Sequence, residues 1–560
     1  MNKNSKLWIA VAIIAIVAPC LIGAATGNDK DNKSSISRNL LIFNSLYKEL
    51  AMSYVDTINP DKNITTAINY MLQELDPYTE YIKAEDSEDF MKISTGEYGG
   101  IGSYIMETKN DGVLISEPFE GSPAALAGLR PGDRILKIND DTTTNWRSSQ
   151  VSEKLKGMAN TTVRVVVDRP YVSDSILTFE ITRKKIQVPS VSYYKALDGG
   201  IGYIQLTTFN DNSPEEVKTA LLELKKNPKV HTIVLDLRSN GGGVLESAVK
   251  IVNLFVPKNT EVLRTKGRLK QSEKVYKTTQ KPVDENIPLV VLIDGASASA
   301  SEIVAGSLQD LDRAVIIGSR SYGKGLVQST RTLPYDNLLK LTIAKYYIPS
   351  GRLIQAIDYS HRNPDGSVAR TPDSLTNVFH TAHGREVRDG GGITPDVKVE
   401  YGEINRLTYN IVRDNWAFNF ANKYAAEHPT CVPAEEFTVS DSLFNEFKKF
   451  INPEKFEYDK VCEDGLKKLR ETAKTEGYMN DSTKAAFDAL EKLLKHNLEQ
   501  DLNNNRKDIE EIIATEILSR YYYQKGRIIE TLKHDPAMDT VRTLIADPER
   551  YKAILRPQKK

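Results

Sequence analysis

Cysteine is nearly absent from this 560-residue chain, with three in all, Cys20, Cys431 and Cys462. A disulfide framework is thereby excluded, and none of the three is placed to act as a catalytic thiol. Cys431 and Cys462 are either one bridge across the C-terminal region or two free thiols. Histidine is scarce as well, with seven residues, and His380 and His383 in His-Thr-Ala-His have no third ligand nearby, so neither a metal nor another cofactor is expected. Charge of one sign is missing too. With 74 basic and 75 acidic residues the formal net charge is −1, and no global field favours nucleic acid as a partner.

One apolar stretch stands apart from everything after it. Lys3 and Lys6 precede the run 7–25, which ends in Gly23-Ala24-Ala25, the pattern of an export signal. The run is also about as long as a bilayer-spanning helix, so residues 1–25 are expected to be a cleaved signal peptide or an inner-membrane anchor formed by residues 7–25. Either way the chain is expected to work in the periplasm or another extracytoplasmic space. Pro19 stands where lipidation of Cys20 needs a small residue, which disfavours a lipoprotein.

Four further segments follow. Residues 26–92 read as helical: Leu40, Leu41, Phe43, Leu46 and Tyr47 recur at helical spacing, as do Ile64, Ile68, Met71, Leu72 and Leu75 before Asp76-Pro77, predicting a packed helical hairpin. Residues 93–185 turn to short strands, interrupted by a brief helix that Ser122 caps, Pro123 begins and Gly128 stops. Residues 186–403 alternate strands (201–206, 230–237, 289–293, 313–318) with helices, one of them opened by a capping box at Ser213-Pro214-Glu215-Glu216. Such alternation is the signature of an α/β domain with a partly parallel sheet. Residues 404–560 are helical and charged, with an apolar stripe at Ile509, Ile512, Ile513, Ile517 and Tyr521, and are expected to serve packing, homo-oligomer formation or substrate access. The whole is a multidomain α/β chain.

From Gly99 to Asn139 the second of these segments closely resembles a PDZ domain. The resemblance implies that the loop Gly99, Gly100, Ile101 and Gly102 offers backbone N–H groups to the terminal carboxylate of a peptide, which adds as a strand beside it.

Candidate chemistry lies at the carboxyl ends of the α/β strands, where the amides of following helices point outward. Two glycine or alanine turns occur there, Asn240-Gly241-Gly242-Gly243 and Ala298-Ser299-Ala300. Backbone amides in such turns can reach a developing oxyanion, and the N–H groups of Gly242, with Gly243 as the alternative, and of Ala300 are the expected donors. Ser299 begins Ser-Ala-Ser-Glu, which by itself describes a helix cap rather than a nucleophile. Lys324, held between Gly323 and Gly325, reverses that preference, because a serine hydroxyl needs a base and a neutral lysine can supply one. Neutrality is costly: moving a lysine pKa from ~10.4 to near 7 takes roughly 4–5 kcal/mol. Gln328 follows four residues later in a segment of strand character, a spacing that puts it on the face of Lys324. The run 318–324 also fits the start of a phosphate-binding loop, but Gly325 replaces the hydroxyl that loop requires.

The set Leu75-Asp76-Pro77-Tyr78-Thr79-Glu80-Tyr81, the PDZ-like segment, Asp236-Leu237-Arg238, Ser297 to Glu302, Gly323-Lys324-Gly325, Gln328, Tyr347 to Arg352 and Gly390 to Asp396 resembles the carboxyl-terminal processing, or tail-specific, proteases of the S41 peptidase family. The resemblance implies that the middle serine of the run, Ser299, is the nucleophile, Lys324 the base and Gln328 its companion. It also implies a core like that of the crotonase and Clp-protease superfamily with the PDZ domain inserted ahead of it. The expected activity is that of an exported serine endopeptidase acting on polypeptides through their C-terminal tails.

Overall fold

The structure is a computed structural model, and it describes residues 29–87, 90, 96–108, 112–363, 365–402 and 405–556. The expected export segment 1–25 lies outside the described residues; among these, no helix is long and apolar enough to cross a membrane.

Two units divide the chain, one ending at Tyr81 and the other beginning at Ile82. In the first, α1 (Asp29–Ser53) and α2 (Pro60–Gln73) form where the periodicity requires. Asn59 caps α2 by accepting from Lys62 N–H at 3.0 Å, with Pro60 at the first helical position. The expected packed hairpin is not formed, because Leu40, Leu41, Phe43 and Leu46 of α1 and Met71 of α2 are exposed. Periodicity reports which residues share a face; it does not supply the surface that covers that face.

The second unit begins with β1 (Glu97–Gly100), β2 (Ser103–Thr108), β3 (Gly112–Pro118), α3 (Pro123–Ala127), β4 (Arg134–Ile138), α4 (Ser148–Leu155), β5 (Thr162–Asp168), β6 (Ile176–Thr182) and β7 (Lys184–Gln187). An antiparallel sheet runs in the order β2-β3-β4-β5-β6, and β1 pairs with β7. Alternation puts Val163, Val165 and Val167 of β5 on one face, where they meet Ile101, Ile115, Leu129 and Ile138 in a small separate core. The short helix forms as its residues dictate, with Ser122 Oγ accepting from Ala125 N–H at 3.2 Å and Gly128, at φ +93°, ending it.

The α/β portion holds β8 (Val191–Leu197), β9 (Ile201–Leu206), α5 (Ser213–Lys225), β10 (Thr232–Asp236), α6 (Leu245–Val252), β11 (Glu261–Lys266), β12 (Lys274–Lys277), β13 (Leu289–Ile293), α7 (Ala300–Asp310), β14 (Val315–Gly318), β15 (Leu326–Thr332), β16 (Leu338–Tyr347) and β17 (Val397–Lys398). Its main sheet runs β8-β9-β10-β13-β14-β17, parallel except for β8. Antiparallel pairing orders β15-β16-β11-β12 in a second sheet. The capping box expected at Ser213 is not formed. Glu216 accepts instead from Val191 N–H of β8 at 2.9 Å, while Ser213 Oγ, fully buried, donates to Ser190 Oγ at 2.7 Å. Both side chains found long-range partners that a four-residue pattern cannot reveal.

Every residue of β13 is buried. Leu289, Val291 and Ile293 face α5, α6 and α7, whereas Val290 and Leu292 face the C-terminal region. That region contains α8 (Arg406–Arg413), α9 (Trp416–Glu427), α10 (Asp441–Phe450), α11 (Val461–Thr475), α12 (Asp481–Leu494), α13 (Leu498–Asn504), α14 (Arg506–Lys533), α15 (Pro536–Ile545) and α16 (Pro548–Ile554). Leu532, Met538, Val541 and Leu544 cover the second face of the main sheet, and Tyr551 Oη bonds both the N–H and the carbonyl of Leu289 at 3.0 Å. The parallel sheet is thus buried on both sides, as its continuous apolar strands demand. Cys431 and Cys462 are free thiols.

If the C-terminal helices complete this core, Met538→Ala will lower the unfolding free energy by about 2–4 kcal/mol. Urea denaturation with amide exchange of β13 checks this: the strand should lose protection together with α15.

Candidate active site

β10 and β13 end side by side, and the turns that follow them are tied by one carboxylate. Asp294 accepts from Ser297 N–H and from Ser239 N–H, each at 3.0 Å, joining the turn after β13 to the turn after β10. The serines flanking Ser299 add two more ties: Ser297 Oγ donates to the Leu237 carbonyl and Ser301 Oγ to the Asn240 carbonyl, both at 2.8 Å. Ser297 and Ser301 are fully buried, while Ser299 is half-buried. The outer serines of the run are therefore structural.

Ser299 has φ +56° and ψ −111°, a conformation that costs a non-glycine residue about 1–3 kcal/mol and needs surroundings that hold it. Glu302 is one of those holds. Its Oε2 accepts from Ser299 N–H at 2.9 Å, which is the carboxylate half of the capping box the sequence suggested. The same oxygen accepts from Lys324 N–H at 2.8 Å, and Oε1 accepts from Gly323 N–H at 2.7 Å and from Ser321 Oγ at 2.5 Å. Burial pushes the Glu302 carboxyl up from its ordinary value, and the four donors offset only part of that. Tyr346 completes the clamp from the other side: its fully buried hydroxyl donates to the Lys324 carbonyl at 2.8 Å and lies 3.2 Å from the Ser299 carbonyl. The main chains of the expected nucleophile and base thus share two buried partners. Gly323 permits the approach, since a Cβ there would lie 2.4 Å from Ala356 Cβ.

Lys324 precedes β15 rather than belonging to it, so even spacing along a strand does not relate it to Gln328. Gln328 lies within β15 and donates through Nε2 to Thr342 Oγ1 of β16 at 3.1 Å. A strand after Lys324, where a phosphate loop would open a helix, also removes the nucleotide reading.

Gly242, at φ +98°, faces the serine turn: a Cβ on it would stand 2.8 Å from Ser299 Cβ and 2.9 Å from Ala300 N. Its own N–H, however, donates to Asn240 Oδ1 at 2.9 Å. The expectation of Gly242 as an available oxyanion donor is corrected to that extent, because an asparagine two residues earlier captures the amide in an Asx turn. Asn240 does more: its Nδ2 donates to the Leu206 carbonyl at 2.7 Å, and its carbonyl accepts from Ala298 N–H at 3.0 Å. Asn240 and Tyr346 are organising residues the motif reading passed over, and Glu302, read only as half of a helix cap, also binds the segment of Lys324. For Glu302 the signal was its place in the Ser-Ala-Ser-Glu capping pattern.

In the PDZ-like part, the carbonyls of Ile101 and Gly102 are held by Ala124 N–H and Phe119 N–H, at 2.8 and 2.9 Å. A narrow cavity of about 60 Å³ opens between this loop and α4, lined by Tyr98, Gly100, Ile101, Gly102, Ile105 and Leu155 among others. Among the described residues β2 pairs with β3 alone, so its other edge borders this cavity.

The family model for peptidase family S41 matches residues 200–368, a PDZ-domain model matches 114–169, and a model described as "Probable PDZ-protease, C-terminal helical domain" matches 407–544. A carboxy-terminal-processing protease of Bartonella bacilliformis is 34% identical over 340 residues, covering 60% of this chain and 77% of that protein. A "Probable CtpA-like serine protease" of Staphylococcus aureus is 35% identical over 416 residues, covering 74% of this chain and 80% of its own length. The chain belongs to peptidase family S41. A solved photosystem II D1 C-terminal processing protease is 26% identical, with 63% of this chain and 86% of that one covered at a TM-score of 0.36. The S41 match spans Gly242, Ser299, Lys324 and Gln328; the PDZ match begins after the 99–102 loop but includes α4.

Since S41 is a serine protease family, the Glu302 clamp can be tested by activity. Glu302→Gln presents NH₂ to two of four donors, and each buried donor left unsatisfied costs about 1–3 kcal/mol. The expected result is a fall in kcat of about 100-fold or more together with a lower melting temperature, measured on the purified chain.

Proposed function

We propose that this S41 peptidase is an exported serine endopeptidase that captures polypeptides by their C-terminal tails and cleaves them with Ser299 as nucleophile and Lys324 as general base. The observation that carries this reading is the sharing of one Glu302 oxygen by the N–H groups of Ser299 and Lys324, which draws together residues 25 positions apart. It is supported further by the structural engagement of Ser297 and Ser301, by the strained backbone at Ser299, and by relatives named for carboxy-terminal processing.

In the proposed reaction the neutral Lys324 amine takes the Ser299 proton as Oγ forms its bond to the scissile carbonyl carbon. The resulting oxyanion is met by Ala300 N–H and by a glycine amide of the 241–243 turn, with Gly242 available once Asn240 yields it. Collapse breaks the C–N bond, and the Lys324 ammonium passes its proton to the leaving amine. Water then attacks the acyl carbon, giving a proton to Lys324, which returns it to Ser299 Oγ as the new carboxylate leaves. Gln328, fixed by Thr342, is assigned to orienting the lysine.

The tail is proposed to lie along the free edge of β2, with its carboxylate on the amides of the 99–102 loop and its last side chain against Ile105 and Leu155. Residues 1–25 supply the export route.

The test uses an unfolded protein with an apolar C-terminal tail, free or amidated. Ser299→Ala, Lys324→Ala and Lys324→Arg are each expected to lower kcat on the order of 10³-fold or more, arginine included because it stays protonated. Amidation should reduce kcat/KM about 10-fold or more. Wild-type cleavage by Ser299→Ala or Lys324→Ala overturns the catalytic assignment, and indifference to amidation overturns carboxylate capture.

A further inference from the structure

Arg238 stands at the root of the turn that faces Ser299. It follows β10 and immediately precedes Ser239, whose φ of +58° opens the turn 239–243. Its guanidinium meets two carboxylates. Asp236, two residues earlier, takes Nε at 3.0 Å on both oxygens and Nη2 at 2.6 Å, while Asp535 takes Nη2 at 2.6 Å from the other end of the chain. Both carboxylates are almost wholly buried, and Tyr203 Oη donates to Asp236 at 2.6 Å.

The two partners differ in what they can fix. Asp236 belongs to the same short segment as Arg238, so their pairing is kept wherever that segment moves. Asp535 belongs to the layer that covers the far face of the sheet, and its Oδ1 accepts from Ala537 N–H at 2.9 Å as the cap of α15. A cavity of about 530 Å³ borders Arg238, Ser239 and Asp294, and Tyr401, which also lines it, interacts with the guanidinium as well, but Asp535 is the charged partner that the C-terminal layer brings to it. From Arg238 the connection to the serine is short. Asn240 holds Ala298 N–H and Ser301 Oγ, and Gly242 packs so closely on the serine turn that a Cβ on it would stand 2.8 Å from Ser299 Cβ.

We propose that Asp535 is a positioning residue of the active site, holding Arg238 and through it the 239–243 turn in register with Ser299. The proposal rests on the Ser299 and Lys324 mechanism above and assigns the C-terminal layer a part in it. A shift of about 1 Å in groups that stabilise the transition state is enough to cost on the order of 100-fold in rate, so a lost tether should be visible in kcat while substrate capture, made elsewhere, is untouched.

The full-length chain is compared as wild type, Asp535→Asn, Asp535→Ser, Asp535→Glu and Ser299→Ala, with kcat, KM and melting temperature measured for each. Asparagine and serine both retain an oxygen to cap α15 but remove the charge that Arg238 meets; serine serves should asparagine fail to fold. The expected outcome is a fall in kcat of about 10-fold or more at unchanged KM in the asparagine or serine variant, with glutamate recovering a large part of it. Wild-type kcat in a folded uncharged variant overturns the proposal. So do losses in all three Asp535 variants that track melting temperature with no recovery by glutamate. Cleavage by Ser299→Ala instead overturns the Ser299 assignment, whereas an inactive Ser299→Ala beside a fully active Asp535→Asn removes the positioning role alone.

Discussion

A carboxylate shielded from water holds the candidate active centre together. Glu302 accepts four donors from two segments that approach each other only in the folded chain, and it replaces the solvent each donor would otherwise require. The arrangement has high stakes because Glu302 is itself fully buried, and an N–H group left there without its acceptor costs about 1–3 kcal/mol. It also explains how a strained serine persists: the unfavourable φ of Ser299 is maintained by a hydrogen bond to a carboxylate that cannot move without abandoning three other partners. Tyr346, on the opposite side, donates to the Lys324 carbonyl and lies beside that of Ser299, as Glu302 lies between their amides.

This clamp requires a rigid platform, and the parallel sheet provides it. Strands buried on both faces need two covering layers, one from helices that alternate with them and one from a region more than a hundred residues later in sequence. The late layer does more than exclude water. Tyr551 bonds the start of β13, and Asp535 reaches the turn after β10, so both ends of the strands are held from the same side.

Much of this was legible beforehand. Strands such as 289–293 announce themselves by unbroken apolar runs, and the helix from Pro123 to Gly128 by the chemistry of its own ends. Local rules failed where a side chain had a distant alternative. Ser213 and Glu216 fit a capping pattern but turned to Ser190 and Val191, and Gly242 looked like a free donor until Asn240 was found to take its amide. Lys324 was singled out by its flanking glycines, yet its expected relation to Gln328 assumed a strand that begins two residues too late. The C-terminal helices showed their stripes plainly; that those stripes cover a sheet was invisible, because amphipathicity names a face without naming its partner.

Among the described residues β2 pairs on one edge only, and its other edge carries a consequence of its own in the tail-capture reading. Backbone pairing along six residues, roughly 20 Å of extended chain, asks nothing of side-chain identity but everything of accessibility. A chain end tucked into a helix or a finished sheet has already committed the N–H and C=O groups that the edge would engage. Beyond the fit of the last side chain against Ile105 and Leu155, discrimination between substrates then depends on whether a terminus is frayed, so that such a protease would act as a census of incompletely folded neighbours.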